Sequence, residues 1–191
     1  MSALTLKLDS IVQLTDEQFY QLCQDNPDLK LERSPTGTLI IMSPTGGETG
    51  KQNAEINLEL GLWNRQAKLG VVFDSSTGFK LPNGAERSPD AAWIPQARWD
   101  ALQPEQRRRF LPLCPDFLIE LLSPSDSWEA GIVKMQEYQE NGNRLGWLID
   151  PVAQRIAIYR IGQPVELLTA AQSLSGEHVL PGFMLDLRLL W

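Results

Sequence analysis

Two carboxylates stand where strand-forming sequence is otherwise apolar. Glu120 is the one charge inside Phe117 to Leu122, and Asp90 follows Pro89 just ahead of Ala91, Ala92, Trp93 and Ile94. A charge in a buried strand is costly unless something pairs with it. Side chains alternate across a strand, so Asp90, Ala92 and Ile94 share one face, and Asp116, Leu118 and Glu120 share one face of the later strand. If these strands are neighbours, Asp90 and Glu120 converge at one point. Two oxygens on rigid strands are a usual way to hold Mg²⁺, with water and a substrate phosphate completing its shell. Asp116, at about 3.3 Å per residue along the strand from Glu120, is too far away to chelate the same ion. Two plainer readings stand beside this one: Glu120 paired with an arginine or on an edge strand, and Asp90 as a turn residue after proline.

Lys134 adds a cation in reach. Ala130, Gly131, Lys134 and Tyr138 recur at helical spacing after Glu120, and the small residues let that face approach a sheet. From there the lysine can reach an attacking water or stabilise a pentacovalent phosphate. On spacing alone an exposed helical lysine fits equally well. Other chemistries find less support. His178 is the single histidine, so no histidine dyad or histidine-rich zinc site is available. Gly46 and Gly47 precede a helix without a P-loop or GxGxxG pattern, and Ser123 and Ser125 lack a histidine base and a glycine elbow. Cys23 and Cys114 fit no metal or redox spacing and read as small buried hydrophobes. The six tryptophans read mainly as packing residues.

The elements that must position these groups follow from periodicity and punctuation. Thr15 with Gln18 has capping-box form and starts a short helix that Asn26-Pro27 ends. Leu29 to Arg33 and Thr38 to Met42 flank Ser34-Pro35-Thr36-Gly37 as a hairpin. From Glu48 to Leu69, Ile56, Leu60, Trp63 and Ala67 recur at helical spacing, Ala54, Leu58 and Leu62 widen the stripe, and Gly70 supplies the stop. Short strands follow at 71–73, 78–81 and 88–94, then a proline-rich stretch carrying Arg107, Arg108 and Arg109, read as a solvated segment. Phe117 to Leu122 is a buried strand. Asp126 with Glu129 resembles a capping box for a helix over 127–141, and Leu145 to Ile149 returns as a strand, an order that favours a parallel pair. Arg155 to Tyr159, Val165 to Leu168 and the tail from Phe183 to Trp191 read as strands closing one edge. The fold class is α/β with a mixed sheet, in a single domain over 1–191.

Composition sets the outer limits. The chain is 42% hydrophobic and 21% charged, an ordinary globular balance, and no apolar run nears the roughly 20 residues that cross a bilayer. Met1 to Asp9 lacks the pattern of a secretory signal, and the expected location is cytoplasmic. The net charge of −7 argues against a broad basic surface, so contact with a polyanion must be local.

The same residues carry a resemblance. Pro89-Asp90, the run from Pro115 through Glu120 to Ser125, Lys134, Tyr138, Gly142 and Trp147 to Pro151, with Met42 to Gly46 before the long helix, resemble the bacterial Uma-type endonuclease family. That family is a branch of the PD-(D/E)xK nuclease superfamily. The resemblance implies a restriction-endonuclease-like core, a Mg²⁺ or Mn²⁺ site and hydrolysis of DNA phosphodiesters. Asp90 and Glu120 match the two metal carboxylates, and the carbonyl of Leu121 is a candidate third ligand. The departure is at Leu122, where the superfamily carries its lysine; Lys134 on the next helix is the candidate replacement. Glu48 or Glu55 is a candidate for a further acidic group, and a homodimer is the natural way to cut two strands. The rival expectation is a catalytically silent module that keeps the fold for oligomerisation or partner binding.

Overall fold

The computed structural model describes residues 4–8 and 11–191; part of the Met1 to Asp9 segment lies outside them. The chain opens with β1 (Leu4–Leu6) and α1 (Asp16–Asp25). The capping box at Thr15 is present in full, the Thr15 hydroxyl accepting from Gln18 N–H and the Gln18 side chain accepting from Thr15 N–H. The hairpin forms as β2 (Lys30–Arg33) and β3 (Leu39–Met42), joined by a turn with Gly37 at φ +93°.

The long helix α2 runs Gly47–Ala67. Its stop comes before the glycine at 70: Lys68 takes the left-handed conformation at φ 54° and its N–H bonds Asn64 O. The face turned inward also differs from the expected apolar stripe. Ile56 and Leu60 are buried, but Leu58 and Leu62 are exposed, and asparagines take their place toward the sheet. Asn64 accepts from Trp93 Nε1 and donates to Gly70 O, and Asn57 donates to Asp90 O. Hydrophobic periodicity could not see these polar anchors.

Beyond α2 come β4 (Gly70–Asp74), β5 (Phe79–Lys80), β6 (Glu86–Arg87), β7 (Ala91–Pro95), the short helices α3 (Gln96–Asp100) and α4 (Pro104–Arg107), and β8 (Phe117–Leu121). Then follow α5 (Trp128–Glu140), β9 (Leu145–Asp150), β10 (Arg155–Arg160), β11 (Glu166–Thr169), β12 (Ser173–Ser175) and β13 (Met184–Asp186). Ser127, not Asp126, caps α5 by accepting from Ala130 N–H, while Asp126 turns back to Ser123.

The strands form two main sheets rather than one. A mixed sheet has the order β11-β10-β9-β8-β7-β4, with β8 and β9 parallel and the other pairs antiparallel. A second sheet, β1-β3-β2-β6-β5, holds the hairpin. The tail does not extend the mixed sheet: β13 pairs with β12, and Phe183, Leu185 and Leu187 pack over the core instead. Phe183 stacks on Trp147 with ring centroids 6.1 Å apart. One face of the mixed sheet, with Phe117, Ile119, Trp147 and Ile149, is thus covered by α2 and the tail. The other, with Ala92, Ile94, Leu118 and Leu148, is covered by α5 through Met135 and Tyr138. Burial on both faces explains why β8 reads as a continuous apolar run. Close approach of α5 depends on Gly131, where a Cβ would stand 2.8 Å from a methyl of Leu148.

Candidate active site

Asp90 is the residue before β7, and its place is fixed from three sides. Its N–H bonds Ile119 O at 3.1 Å, its carbonyl accepts from Asn57, and its Oδ2 accepts from Leu121 N–H at 2.8 Å. Ala91 pairs with Ile119 in the antiparallel register, so Asp90 stands opposite Glu120. Both side chains lie on the α5 side of the sheet by strand alternation. The neighbour relation inferred from the sequence holds, and Asp90 and Glu120 act on one another electrostatically.

Lys134 reaches this point from α5. Its Nζ lies 2.9 Å from Glu120 Oε1, and the same oxygen accepts from the Tyr138 hydroxyl at 2.9 Å. The Glu120 side chain is 12% exposed and that of Lys134 18%, so the group is largely enclosed but open to solvent on one side. Ala130, expected on the inner face of α5, is exposed; Gly131, Met135 and Tyr138 form that face. Asp116 lies at the other end of β8, paired with Arg98 and Arg144.

One member of the cluster has no counterpart in the sequence reading. Glu32 of β2, 1% exposed, bonds Lys134 Nζ at 2.9 Å through Oε1, which also accepts from Ser88 N–H at 2.9 Å. Arg87 Nη1 stands 3.3 Å from Glu32 Oε2, and Arg87 Nε bonds Glu137 Oε2 at 2.6 Å. Among the described residues the third carboxylate therefore comes from the second sheet. Glu48 is exposed in the first turn of α2 and Glu55 is partly buried further along it. Glu32 escaped notice because a charged hairpin strand reads as solvated. The available signal was the complementary pattern of two short charged strands, Glu32-Arg33 and Glu86-Arg87, which pair side by side in the second sheet and whose ion pairs close across that strand pair.

The charges do not balance evenly. Burial pushes the Glu120 carboxyl up to about 7; Lys134 opposes this, and Asp90 and Glu32 add to it. Burial also raises Asp90, against the pull of Lys30, the Leu121 N–H and Lys134. In Glu32 burial is outweighed by Lys134, Arg87 and the Ser88 N–H, so its carboxylate lies below its ordinary range. Lys134 is held above its ordinary value because Glu120 and Glu32 outweigh its burial, and it stays an ammonium. Tyr138, raised well above its usual value by burial and by the two glutamates, stays a phenol donor.

A cavity of about 230 Å³ adjoins this end of β8. It is bounded by Met42 to Gly46, between β3 and α2, and by Ser123 to Asp126, just after the strand that bears Glu120.

A family model described as "Uma2: Putative restriction endonuclease" matches residues 16–188. The chain belongs to this family. No curated protein matches it. Among solved structures it is similar to the crystal structure of "a putative nuclease belonging to DUF820" from Anabaena variabilis ATCC 29413, with a TM-score of 0.75 at 19% sequence identity. The match covers 93% of this chain and 97% of that one. At that identity the likeness establishes the fold, which is restriction-endonuclease-like. No helix among the described residues is long and apolar enough to cross a membrane.

Proposed function

We propose that this Uma2 member is a Mg²⁺- or Mn²⁺-dependent DNA endonuclease that hydrolyses phosphodiester bonds at the Asp90, Glu120 and Lys134 cluster, acting as a homodimer. The observation that carries the reading is geometric: Asp90 and Glu120 stand opposite one another on neighbouring strands with Lys134 Nζ 2.9 Å from Glu120, and burial raises both carboxyls above their ordinary range. Carboxylates raised in this way gain most from a divalent cation. Asp90 and Glu120 supply hard oxygen donors from rigid strands, and the Leu121 carbonyl is the candidate third. Among the described residues no three or more histidine, cysteine or acidic side chains stand in metal-holding geometry. A site of one or two carboxylates suits Mg²⁺ or Mn²⁺, which keep water and substrate phosphate in their shell, better than a closed structural site. A bound ion supplies Lewis-acid polarisation of the phosphoryl oxygens and neutralises charge in the transition state.

The remaining work falls to side chains. Lys134 stays protonated, so it is no general base; it donates to the attacking water and stabilises negative charge on the phosphoryl oxygens. Tyr138 fixes the rotamer of Glu120 through Oε1. The cavity formed by Met42 to Gly46 and Ser123 to Asp126, beyond the end of β8, is a candidate place for the sugar-phosphate backbone, and the net charge of −7 favours such a local contact over a broad one. Lys134 against Glu120 supplies the cation that Leu122 lacks, which favours this reading over a silent module. The test is nicking of supercoiled plasmid at low salt with Mg²⁺ or Mn²⁺, beside EDTA, Asp90→Ala and Glu120→Ala. Metal-dependent nicking lost in both variants is expected; no nicking by folded wild type overturns the reading.

A further inference from the structure

Lys134 divides its ammonium between two carboxylates of different kinds. Glu120 Oε1 already accepts from Tyr138 and belongs to the proposed metal pair, so a bound cation competes with the ammonium for that group. Glu32 is the opposite: it is 1% exposed, stands on a strand of the other sheet, and is bonded at both oxygens by Ser88 N–H and Arg87 as well as by Lys134. Arg87 in turn bonds Glu137, three residues beyond Lys134 on α5. The pairs close a ring, Lys134 to Glu32 to Arg87 to Glu137, that returns to the helix it started from.

Building on the nuclease reading, we infer that Glu32 is a positioning residue: with Arg87 it anchors the Lys134 ammonium beside the reacting phosphate independently of Glu120, so that a cation on Glu120 does not expel the lysine. Without that anchor the long side chain would have solvent and several rotamers open to it once Glu120 turned to a metal. A purely structural pair between neighbouring strands would stabilise the fold and leave the order of the Lys134 ammonium to Glu120.

The decisive experiment observes the lysine ammonium directly by ¹H–¹⁵N correlation at low temperature, where an ammonium is visible only when hydrogen bonding protects it from exchange with water. The Lys134 signal is identified by its loss in Lys134→Arg. It is expected to persist in Glu120→Gln and on saturating wild type with Mg²⁺, and to vanish in Glu32→Gln. In kinetics Glu32→Gln is expected to lower kcat about 10- to 100-fold while KM changes less than about twofold, with Glu32→Asp recovering part of the loss. A signal that survives in Glu32→Gln but disappears in Glu120→Gln overturns the inference, as does an unchanged kcat in folded Glu32→Gln. Should Glu32→Gln fail to fold, Glu120→Gln still decides: a retained signal supports the anchor and a lost one refutes it. Wild type that neither binds Mg²⁺ nor cleaves would refute the nuclease reading instead, with the ammonium spectra still deciding the role of Glu32.

Discussion

The two ends of β8 carry carboxylates on the same face, and their surroundings are opposite in design. Asp116, 4% exposed, sits between the guanidinium groups of Arg98 and Arg144, while its backbone carbonyl takes N–H bonds from Arg144 and Leu145. It has more cations than it needs and holds β8 to β9 and α3. Glu120 shares one ammonium with Glu32, faces Asp90, and keeps a side chain that is 12% exposed. Asp116 is surrounded by its counter-ions as a carboxylate that serves the fold should be; under the proposed function Glu120 is left short of them, and the missing positive charge would come from the metal cation.

The largest effect that sharpens this contrast is on activity. Glu120→Ala and Asp90→Ala are expected to lower metal-dependent plasmid nicking by more than about 10³-fold, whereas folded Asp116→Asn cleaves within a few-fold of wild type; equal losses at both ends of β8 would erase the distinction. In stability the order reverses. Removing the charge of Asp116 strands two partly exposed arginines and is expected to cost about 1–3 kcal/mol, read as a fall in Tm of about 2–4 °C per kcal/mol.

Next in size is a pH effect. Since the Glu120 proton leaves at about 7, a proton competes with the metal below that pH, and Mn²⁺ affinity is expected to fall about tenfold per unit on acidification. An affinity flat between pH 5 and 7 would break the link between the raised carboxyl and the metal. The smallest effect concerns the metal-free protein. The folded value of Glu120, about 7, exceeds its ordinary 4.5, so its contribution to stability is present below 4.5 and is lost as pH rises through 7. Metal-free Glu120→Gln should therefore melt above wild type at pH 8, by about 1 kcal/mol, with the advantage gone in acid; thermal unfolding across pH checks both.

Much of this was legible in the residues. A charge inside an apolar run marked Glu120, small neighbours on its strand face marked Asp90 although proline before it also suited a turn, and helical spacing made Lys134 a candidate beside an exposed alternative, because alternation and helical pitch are local rules that a sequence displays. The capping box at Thr15 and the parallel β8 to β9 pair are legible for the same reason. What stayed hidden depends on long-range pairing. Glu32 and Arg87 lie on short strands whose partners are set by tertiary packing, and nothing in Lys30-Leu31-Glu32-Arg33 says that three of its residues are enclosed. The inward face of α2 was misread at Leu58 and Leu62 because asparagines that hold the backbone of Asp90 and the indole of Trp93 outrank apolar spacing there. The tail was misplaced because its alternation fixes a strand but not the sheet it joins.

Calorimetric titration of Mn²⁺ into wild type, Asp90→Asn, Glu120→Gln and Asp116→Asn tests the central claim most directly. Binding is expected for wild type and for Asp116→Asn, and its loss in the other two variants. No binding by folded wild type, or binding that survives in Asp90→Asn and Glu120→Gln, would contradict it.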